Sequence, residues 1–473
     1  MSDKVVLKVD TVYTYVQGSR SVDEVIDNVL KVRPKGFFWT KAYKMGFWDG
    51  YKRFYDVLRR RFLTGFLRRV CTVLMDKGIE FEIIGAEKVF KGWEGDVKEI
   101  KLYGIDEERW EKTQLPVLAQ MLEAKRGAVR MGTGAGKTEV VAGLLKALSD
   151  KRALVMVHRM ELMYQTAERF KERLGEKVGL IGEGKVEGLD NRIVVGMVQT
   201  LWSRKPKLAS WLKNEVDVLV VDETHRLPAR TWANIAMVCG AEWRYGLSGT
   251  PLVYDDERDM LLIGVTGDII EGVRVKDLVS LGYAIKPIVN VVVVPLKVVG
   301  SWYKVFEEVY GSNASMLEIL KRIVEKEVSE GRKNIVVFVD RIRHGLRIYN
   351  ELKEKMKGLQ VVFACGDLAS EERKSILEQM RRRKYDVVVA TMIFDEGIDV
   401  AGIGGIVFWC STKSVVRVLQ RIGRGVRVEE GKSDVQVWDF LVDNRYLREH
   451  LRKRLKYYKE EQLEVHFYAW NGT

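Results

Sequence analysis

The chain has 473 residues, which is too long for one ordinary core and suggests about three domains. Hydrophobic residues make up 47% of it and charged residues 31%, so the composition predicts packed water-soluble domains. No stretch approaches the roughly 18 uncharged apolar residues of a membrane helix, and we therefore expect no membrane partner. Lysine and arginine number 79 against 66 acids, and this excess lies mainly near the two ends of the chain. Four separated cysteines and five scattered histidines form no pattern typical of a metal centre.

The amino-terminal region is predicted to be a small α+β domain over residues 1–104. Short apolar strands at Val5–Val9 and Glu80–Ile84 and a helix near residues 63–77 indicate this class. The first thirty residues carry Asp23, Glu24 and Asp27 and lack the apolar core of a secretion signal. We therefore expect the protein in the cytosol, or in the cytosol of a host.

Basic and aromatic residues alternate in this domain, which predicts nucleic-acid binding. Residues 31–70 hold 12 Lys or Arg, two acids and eleven Phe, Trp or Tyr, most of which we expect in the core. Phosphates attract such cations and bases stack on such rings. Trp48 stands in a glycine-rich turn that cannot bury it well, and we expect that no acid satisfies the run Arg59–Arg61 or Arg68 and Arg69. The predicted contacts are Trp48, Lys52, Arg53, Arg59, Arg60, Arg61, Arg68 and Arg69.

From residue 126 onward, short runs rich in Val and Ile alternate with helical patterns. Continuous apolar strands separated by helices are typical of parallel sheets covered on both faces. Ten such strands are too many for one sheet of five or six strands, so we predict two tandem α/β domains, 105–283 and 284–443, before a basic helix and tail at 444–473. The predicted strands are 127–131, 152–157, 193–196, 217–221, 289–294, 334–339, 360–364, 386–390, 405–409 and 435–440.

A glycine-rich stretch, "GTGAGKT", joins the first of these strands to a helix and predicts a phosphate site. Free N–H groups at a helix N-terminus favour a phosphate, and glycines let the backbone approach it. Lys137 can reach the β- and γ-phosphates, and Thr138 can ligate Mg²⁺. The alternative, a dinucleotide loop, needs no lysine, so the Lys-Thr pair favours ATP, although Met131 stands where Gly or Ala is usual. The predicted loop residues are Gly132, Thr133, Gly134, Ala135, Gly136, Lys137 and Thr138.

An acidic pair follows the strand at 217–221, in the sequence "DVLVVDETH". Ligands bind beyond the carboxyl ends of strands in such sheets. We predict that Asp222 holds Mg²⁺ and that Glu223 orients or deprotonates the attacking water. A solvated acidic turn is the alternative, but it does not explain the apolar strand before the acids.

A basic element near the end of the second α/β domain, "QRIGRGVR", predicts further contacts with the triphosphate. Gly423 and Gly425 interrupt an ordinary helix there. Gln420 precedes them, and Arg424 and Arg427 are spaced to meet the γ-phosphate across an interdomain cleft as arginine fingers. A solvated charged face is the alternative.

Taken in order, "GTGAGKT", "DETH", "LSGTP", "ATMIFDEGIDV" and "QRIGRGVR" resemble the motifs of superfamily 2 helicases over about residues 105–443. The resemblance implies two RecA-like domains. It also implies that Gln114 reads adenine and that His225, Ser248 and Thr250 couple hydrolysis to domain movement. Further residues implied by it are Arg159, Gln165, Gln199, Thr200 and Thr391 for nucleic-acid contact and Gly397 and Asp399 for the link to the nucleotide.

The flanks, "YKMGFWDGYKRFYD" and "YLREHLRKRLKYYKEE", resemble those of UvsW-like phage recombination helicases. That group remodels branched DNA by fork regression, junction migration and strand annealing, which implies single-stranded and branched DNA as partners, RNA–DNA hybrids as further ones, and a monomeric motor. The Arg-Glu-Asp tripeptide of XPB-type relatives is absent from the sequence.

Two other functions stay open at this point. An ATP-dependent RNA remodeller is disfavoured by Asp-Glu-Thr-His in place of Asp-Glu-Ala-Asp. A nucleic-acid annealing or scaffold protein with a vestigial ATPase is disfavoured because every catalytic position is filled.

Overall fold

The structure, a computed structural model, describes residues 4–391, 402–410, 422–423 and 433–470. It divides into two compact units, Met1–Val273 and Arg274–Thr473. The predicted boundary at 283/284 therefore lies ten residues beyond the observed one, and the predicted domains 1–104 and 105–283 fall within one unit. No helix of the described residues has both the length and the apolarity needed to cross a membrane.

The amino-terminal part of the first unit is built on a five-stranded sheet of order β5-β6-β2-β1-β7, in which only β1 and β7 run parallel. Alternate residues of β1 and β2 point into the core, and α1 and α3 cover that face. The strands are β1 Val5–Val9, β2 Tyr13–Gln17, β3 Lys31–Val32, β4 Lys52–Arg53, β5 Tyr55–Asp56, β6 Arg61–Leu63 and β7 Phe81–Ile84, and the helices are α1 Ser21–Val29, α2 Lys41–Lys44, α3 Leu67–Asp76 and α4 Glu87–Phe90.

A parallel sheet of order β11-β10-β12-β9-β13-β14-β8-β15 forms the rest of the first unit, and only the edge strand β11 is antiparallel. Its central strands are apolar on both faces because helices cover both. The strands are β8 Arg126–Arg130, β9 Ala153–Val157, β10 Val178–Gly182, β11 Lys185–Glu187, β12 Ile193–Met197, β13 Val218–Asp222, β14 Trp243–Ser248 and β15 Ile269–Glu271, and the helices are α5 Glu107–Arg109, α6 Leu115–Ala124, α7 Lys137–Ala147, α8 Met160–Leu174, α9 Val198–Ser203, α10 Lys205–Asn214, α11 Arg230–Val238 and α12 Glu257–Thr266.

The two sheets of the first unit share one hydrophobic core, and Gly65 allows a close backbone contact between the turn before α3 and helix α12. A Cβ on Gly65, in the turn before α3, would lie 2.1 Å from the carbonyl oxygen of Ile263 in α12. A Cβ on Gly264 would in turn lie 2.7 Å from the Phe66 ring. Across the same contact, Arg126 donates to the carbonyl oxygen of Thr11 over 3.0 Å. The amino-terminal sheet is therefore packed directly against the parallel sheet.

We expect Gly65→Ala to destabilise the first unit by about 1–3 kcal/mol, because the added methyl group meets backbone that cannot move aside cheaply. Urea unfolding of the full chain measures the change. Gly366→Ala is the matched control, since a Cβ there meets nothing within 4 Å. Equal midpoints for the two variants would show that the sheets do not approach this closely.

The second unit is a seven-stranded parallel sheet of order β18-β19-β17-β20-β21-β16-β22. All ten strands predicted from the sequence are present in the two parallel sheets. The strands are β16 Lys286–Lys297, β17 Ile335–Val339, β18 Val361–Ala364, β19 Val387–Ala390, β20 Gly405–Trp409, β21 Asp434–Asp443 and β22 Glu464–Ala469, and the helices are α13 Val275–Ser280, α14 Trp302–Phe306, α15 Ala314–Ser329, α16 Ile342–Lys355, α17 Ser370–Arg381 and α18 Arg445–Glu460.

The carboxyl-terminal segment, predicted as a separate basic helix and tail, is part of this sheet. Helix α18 buries Leu447, Leu451 and Tyr458, and β22 pairs in parallel with β16. The basic residues of α18, except the buried Arg454, lie on its outer face, which is why the sequence resembles a solvated helix although its other face packs on β21.

Candidate functional site

Five neighbouring strands of the first parallel sheet end at one edge, and the predicted motifs follow their ends. Strands β12, β9, β13, β14 and β8 are adjacent and parallel, so their carboxyl ends lie side by side. The segments that leave them carry the glycine loop, the 248–250 segment, the acidic pair and the predicted nucleic-acid contacts of the first α/β domain. Motifs that are up to about a hundred residues apart in the chain are thereby brought together.

The glycine loop has the backbone that the sequence predicted. Gly134 and Gly136 both have φ of +82°, a conformation that a side chain would strain. Gly136 is the residue before α7, so the first N–H groups of that helix face the loop. The Arg109 guanidinium, which sequence reasoning missed, donates to the carbonyl oxygen of Gly134.

Gln114 lies against this loop and presents an unsatisfied acceptor. Its side chain is 3% exposed, and its Nε2 donates to the carbonyl oxygen of Ala135 over 3.4 Å. A Cβ on Gly136 would come within 2.3 Å of that Nε2. The Gln114 Oε1 is buried and has no hydrogen-bond partner among the described residues. A buried acceptor without a donor is costly, so this atom fits an incoming amino group such as that of adenine.

The acidic pair lies at the end of β13 within the electrostatic reach of Lys137. Burial and the like charge of Glu223 raise the pKa of Asp222. Burial also acts against the charge of Glu223, but a hydrogen bond from His225 and the charges of Lys137 and His158 outweigh it and lower the pKa of Glu223. Glu223 also has φ of +51°, a rare conformation for a residue with a side chain. The two carboxylates thus have different proton affinities.

A short chain of polar contacts leads away from Glu223. The His225 Nδ1 lies 3.2 Å from a carboxylate oxygen of Glu223 and 3.2 Å from the hydroxyl of Ser248. The same hydroxyl accepts a hydrogen bond of 3.1 Å from the N–H of Thr250. Tyr254, which sequence reasoning missed, donates its hydroxyl to the carbonyl oxygen of His225 over 3.4 Å. The three residues predicted to couple hydrolysis to movement are therefore in contact with one another and with the acid.

The predicted nucleic-acid contacts of the α/β domains occupy strand ends. Arg159 precedes α8, and Gln165 is exposed on its second turn. Gln199 is exposed and donates to the carbonyl oxygen of His158 over 3.3 Å, whereas Thr200 beside it is buried. In the second unit, the buried Thr391 follows β19. Gly397, Asp399, Gln420, Arg424 and Arg427 lie outside the described residues.

The prediction that the amino-terminal arginines have no acid to satisfy them is wrong. Arg60 donates to Asp23 over 3.0 Å and to the carbonyl oxygens of Gly18 and Ser19. The other four arginines of this set, and Arg53, also have acidic neighbours, some of which lie far from them in the sequence. Arg59 and Arg61 pair with Asp56, Arg53 pairs with Asp27 and Asp49, and Arg68 and Arg69 lie near Asp268.

Trp48 is likewise not the exposed ring that the sequence predicted. It is half-buried, and its Nε1 donates to the carbonyl oxygen of Tyr51 over 2.8 Å. Its neighbour Phe47 is 81% exposed, and Trp39 is 71% exposed. Lys52, by contrast, is exposed and forms no ion pair with a described residue.

Among the described residues, no group of three His, Cys, Asp or Glu side chains is arranged to hold a metal ion. All four cysteines are buried and free.

Two family models match the chain. The model of the type III restriction enzyme res subunit matches residues 100–253, and the model of the helicase conserved C-terminal domain matches residues 315–429. Both matches fall on the two parallel sheets, and the first includes the glycine loop, Asp222 and Ser248.

The chain is also similar to several curated helicases. It is 25% identical over 72% of its length to the putative mitochondrial ATP-dependent helicase irc3 of Schizosaccharomyces pombe, of which the match spans 58%. It is 26% identical over 67% of its length to the DNA 3'-5' translocase XPB2 of Sulfurisphaera tokodaii, of which the match spans 78%. It is 23% identical over 86% of its length to the ATP-dependent DNA helicase uvsW of Enterobacteria phage T4, of which the match spans 84%.

Among solved structures, the DNA-bound type ISP restriction-modification enzyme LlaBIII is similar to 79% of the chain with a TM-score of 0.57 and 14% identity, and 32% of that enzyme is covered. At this identity the similarity shows the fold alone. The two parallel sheets are RecA-like domains, as the order of the motifs implied.

Proposed function

Because this chain belongs to superfamily 2 of the helicases, we propose that it is an ATP-driven motor that moves along DNA and remodels branched DNA. The observation that carries the proposal is the meeting of the glycine loop, the acidic pair and the Glu223–His225–Ser248 contacts at one sheet edge. An edge that combines phosphate binding, a base and a polar link to a neighbouring segment is suited to hydrolysis that drives movement.

ATP with Mg²⁺ is the proposed substrate, and the residues fit it. Gly134 and Gly136 have a left-handed backbone that a side chain would strain, and Gln114 offers a buried acceptor beside the loop. Thr138 and Asp222 would hold Mg²⁺, which neutralises phosphate charge when it is bound. Lys137 binds the phosphates, and Glu223 orients the attacking water and accepts its proton. Arg424 and Arg427 keep the role of arginine fingers in this proposal.

The proposed track is DNA, and its unpaired strand contacts the carboxyl edges of the sheets. The exposed Gln165 and Gln199 and the half-buried Arg159 supply polar groups at or near strand ends, where backbone phosphates can be bound. The names of two of the relatives described above state that they act on DNA. Both names support DNA as the polymer that stimulates hydrolysis.

The proposed preference for branched DNA rests on the amino-terminal sheet. The match to the phage T4 DNA helicase covers 86% of this chain, which is more than residues 105–443 alone. The amino-terminal sheet packs on the first RecA-like sheet through one core, so a branch held by the former has a fixed position relative to the latter. Two linked sites also bind one branched molecule more tightly than either site alone.

The test is the steady-state ATPase rate of the full chain with no nucleic acid, single-stranded DNA, blunt duplex, a four-way junction and single-stranded RNA, each at two salt concentrations. We expect the four-way junction to give the largest stimulation and added salt to weaken it, because phosphate contacts release counterions. Stimulation by RNA alone would make the protein an RNA remodeller. Equal rates with and without every polymer would contradict a motor function.

A further inference from the structure

Residues 33–51 connect β3 to β4, which form a two-stranded sheet of their own, and we call this segment the aromatic loop. Strands β3 and β4 pair in antiparallel fashion and close its ends. We propose that the exposed rings of the aromatic loop stack on unpaired bases of a nucleic-acid strand. This inference rests on the proposed function and adds a binding site for unpaired nucleotides outside the RecA-like domains.

The aromatic loop is ordered by a small core of its own. The Phe37 and Tyr43 rings meet edge to face with centroids 4.8 Å apart. Gly50 lies against both rings, since a Cβ there would be 2.6 Å from Phe37 and 3.2 Å from Tyr43. Thr40 caps the short helix α2 by accepting a hydrogen bond from the N–H of Tyr43. These contacts between its own side chains therefore hold the shape of the aromatic loop.

The Phe38, Trp39 and Phe47 rings lie on the outer surface of the aromatic loop and are among the most exposed aromatic side chains of the described residues. Phe47 and Trp39 are the most exposed of them, and Phe38 lies beside Trp39 with ring centroids 5.1 Å apart. Exposed large rings of this kind do not stabilise a fold, and adjacent ones such as Phe38 and Trp39 mark a binding surface. Flat aromatic faces accept any base, because every base has a π-face.

The charge around these rings selects the partner. Arg33, Lys41, Lys44 and Lys52 form no ion pair with any described acid. The one acid in the loop, Asp49, is held by Arg53. The Lys44 ammonium lies over the Trp39 ring, 5.0 Å from its centroid. Unpaired cations next to exposed rings match a polymer that carries phosphates and bases together, and they disfavour an apolar protein partner.

The aromatic loop also touches the segment that follows Thr250. The Lys35 ammonium donates to the carbonyl oxygen of Tyr254 and lies 3.7 Å from the Asp255 carboxylate. Tyr254 in turn donates to the carbonyl oxygen of His225 at the nucleotide edge. A strand stacked on the loop would therefore be bound next to the segment that joins the two sites, within the first unit.

We test the inference by fluorescence anisotropy titration of labelled oligothymidylate, oligouridylate and blunt duplex without ATP. Trp39→Ala/Phe47→Ala is expected to weaken binding of both single strands on the order of 10- to 100-fold and to leave the duplex nearly unchanged. Its salt dependence should stay the same, because no phosphate contact is removed. Lys41→Ala/Lys44→Ala should instead reduce the salt dependence. A loss with only one of the two single strands would assign the site to DNA or to RNA.

Leu58→Ala is the matched control, since Leu58 is 97% exposed in the same sheet domain but outside the loop. Trp39→Phe/Phe47→Tyr keeps the aromatic faces and should bind single strands as the parent does, which separates lost stacking from lost folding. Unchanged single-strand binding by the alanine variant, or an equal loss on duplex, would overturn the inference. These titrations do not measure ATP hydrolysis. Either result therefore leaves the proposed motor function to be decided by the separate ATPase test.

Discussion

Lys137→Ala is expected to lower the ATPase rate on the order of 10²–10³-fold and to leave nucleic-acid affinity nearly unchanged. Lys137 opens helix α7 directly after the glycine loop, and its charge acts on both Asp222 and Glu223. In the proposed reaction it is the only lysine of the loop that can reach the terminal phosphates. Removing it leaves the backbone N–H groups in place but takes away the cation that stabilises the charge of the transition state.

Lys146→Ala is the control for this change, because Lys146 is exposed near the end of the same helix and far from its phosphate-binding start. The rate and the affinity for single-stranded and four-way-junction DNA are measured on both variants. If Lys137→Ala and Lys146→Ala both still remodel DNA, ATP hydrolysis does not drive the remodelling, and a scaffold function is favoured. Equal loss in both variants would mean that helix stability was disturbed.

The fold could be predicted from the sequence where strands are apolar throughout. The short apolar runs of β13 and β17 lie between helical patterns and predict strands. Both strands are present. Strand β14 escaped prediction because it contains Arg244, a residue that normally excludes burial. The Arg244 guanidinium is buried and donates to the carbonyl oxygens of Ala236, Cys239 and Ala241. No local sequence pattern shows that three backbone carbonyl groups will be placed to accept hydrogen bonds from this guanidinium.

Edge strands were missed for a related reason. Strand β22, "EVHFYA", is partly polar and lies at the edge of the second sheet, where one side needs no apolar cover. The sequence therefore ended the second domain at residue 443, although the chain continues through α18 back into the sheet.

The candidate nucleotide site was predictable because its chemistry is local. The glycine loop, Lys137 and Thr138 are consecutive, and Asp222 follows a strand directly. The amino-terminal surface was not predictable, because ion pairs depend on residues that folding brings from elsewhere. Asp23 lies in α1 and pairs with Arg60 beyond β5, so the charge of that arginine is used inside the domain. The unpaired cations lie instead in the aromatic loop.

The second unit depends on a buried ion pair between its last helix and its sheet. The Arg454 guanidinium donates to both carboxylate oxygens of Asp439, over 2.7 and 2.8 Å, and the Tyr458 hydroxyl donates to the same carboxylate over 3.0 Å. Burial alone would lower the pKa of Arg454, but the charge and the hydrogen bonds of Asp439 outweigh it and raise that pKa. The helix that carries Arg454 leads directly into β22.

Asp439→Ala is expected to destabilise the second unit by about 3–5 kcal/mol, because it leaves the buried Arg454 charge without a counter-ion. Asp443→Ala on the same strand is the matched control, since Asp443 is exposed and its ion pair with Arg448 should contribute less than about 1 kcal/mol. Hydrogen exchange of the full chain, followed on peptides from β21, β16 and β22, measures the opening of this unit directly. Asp439→Leu/Arg454→Met should recover much of the loss, because it removes both charges together. If hydrogen exchange in these strands is instead equally slow in Asp439→Ala and Asp443→Ala, the ion pair does not hold α18 and β22 to the sheet. The apolar face of α18 is then sufficient to hold them there.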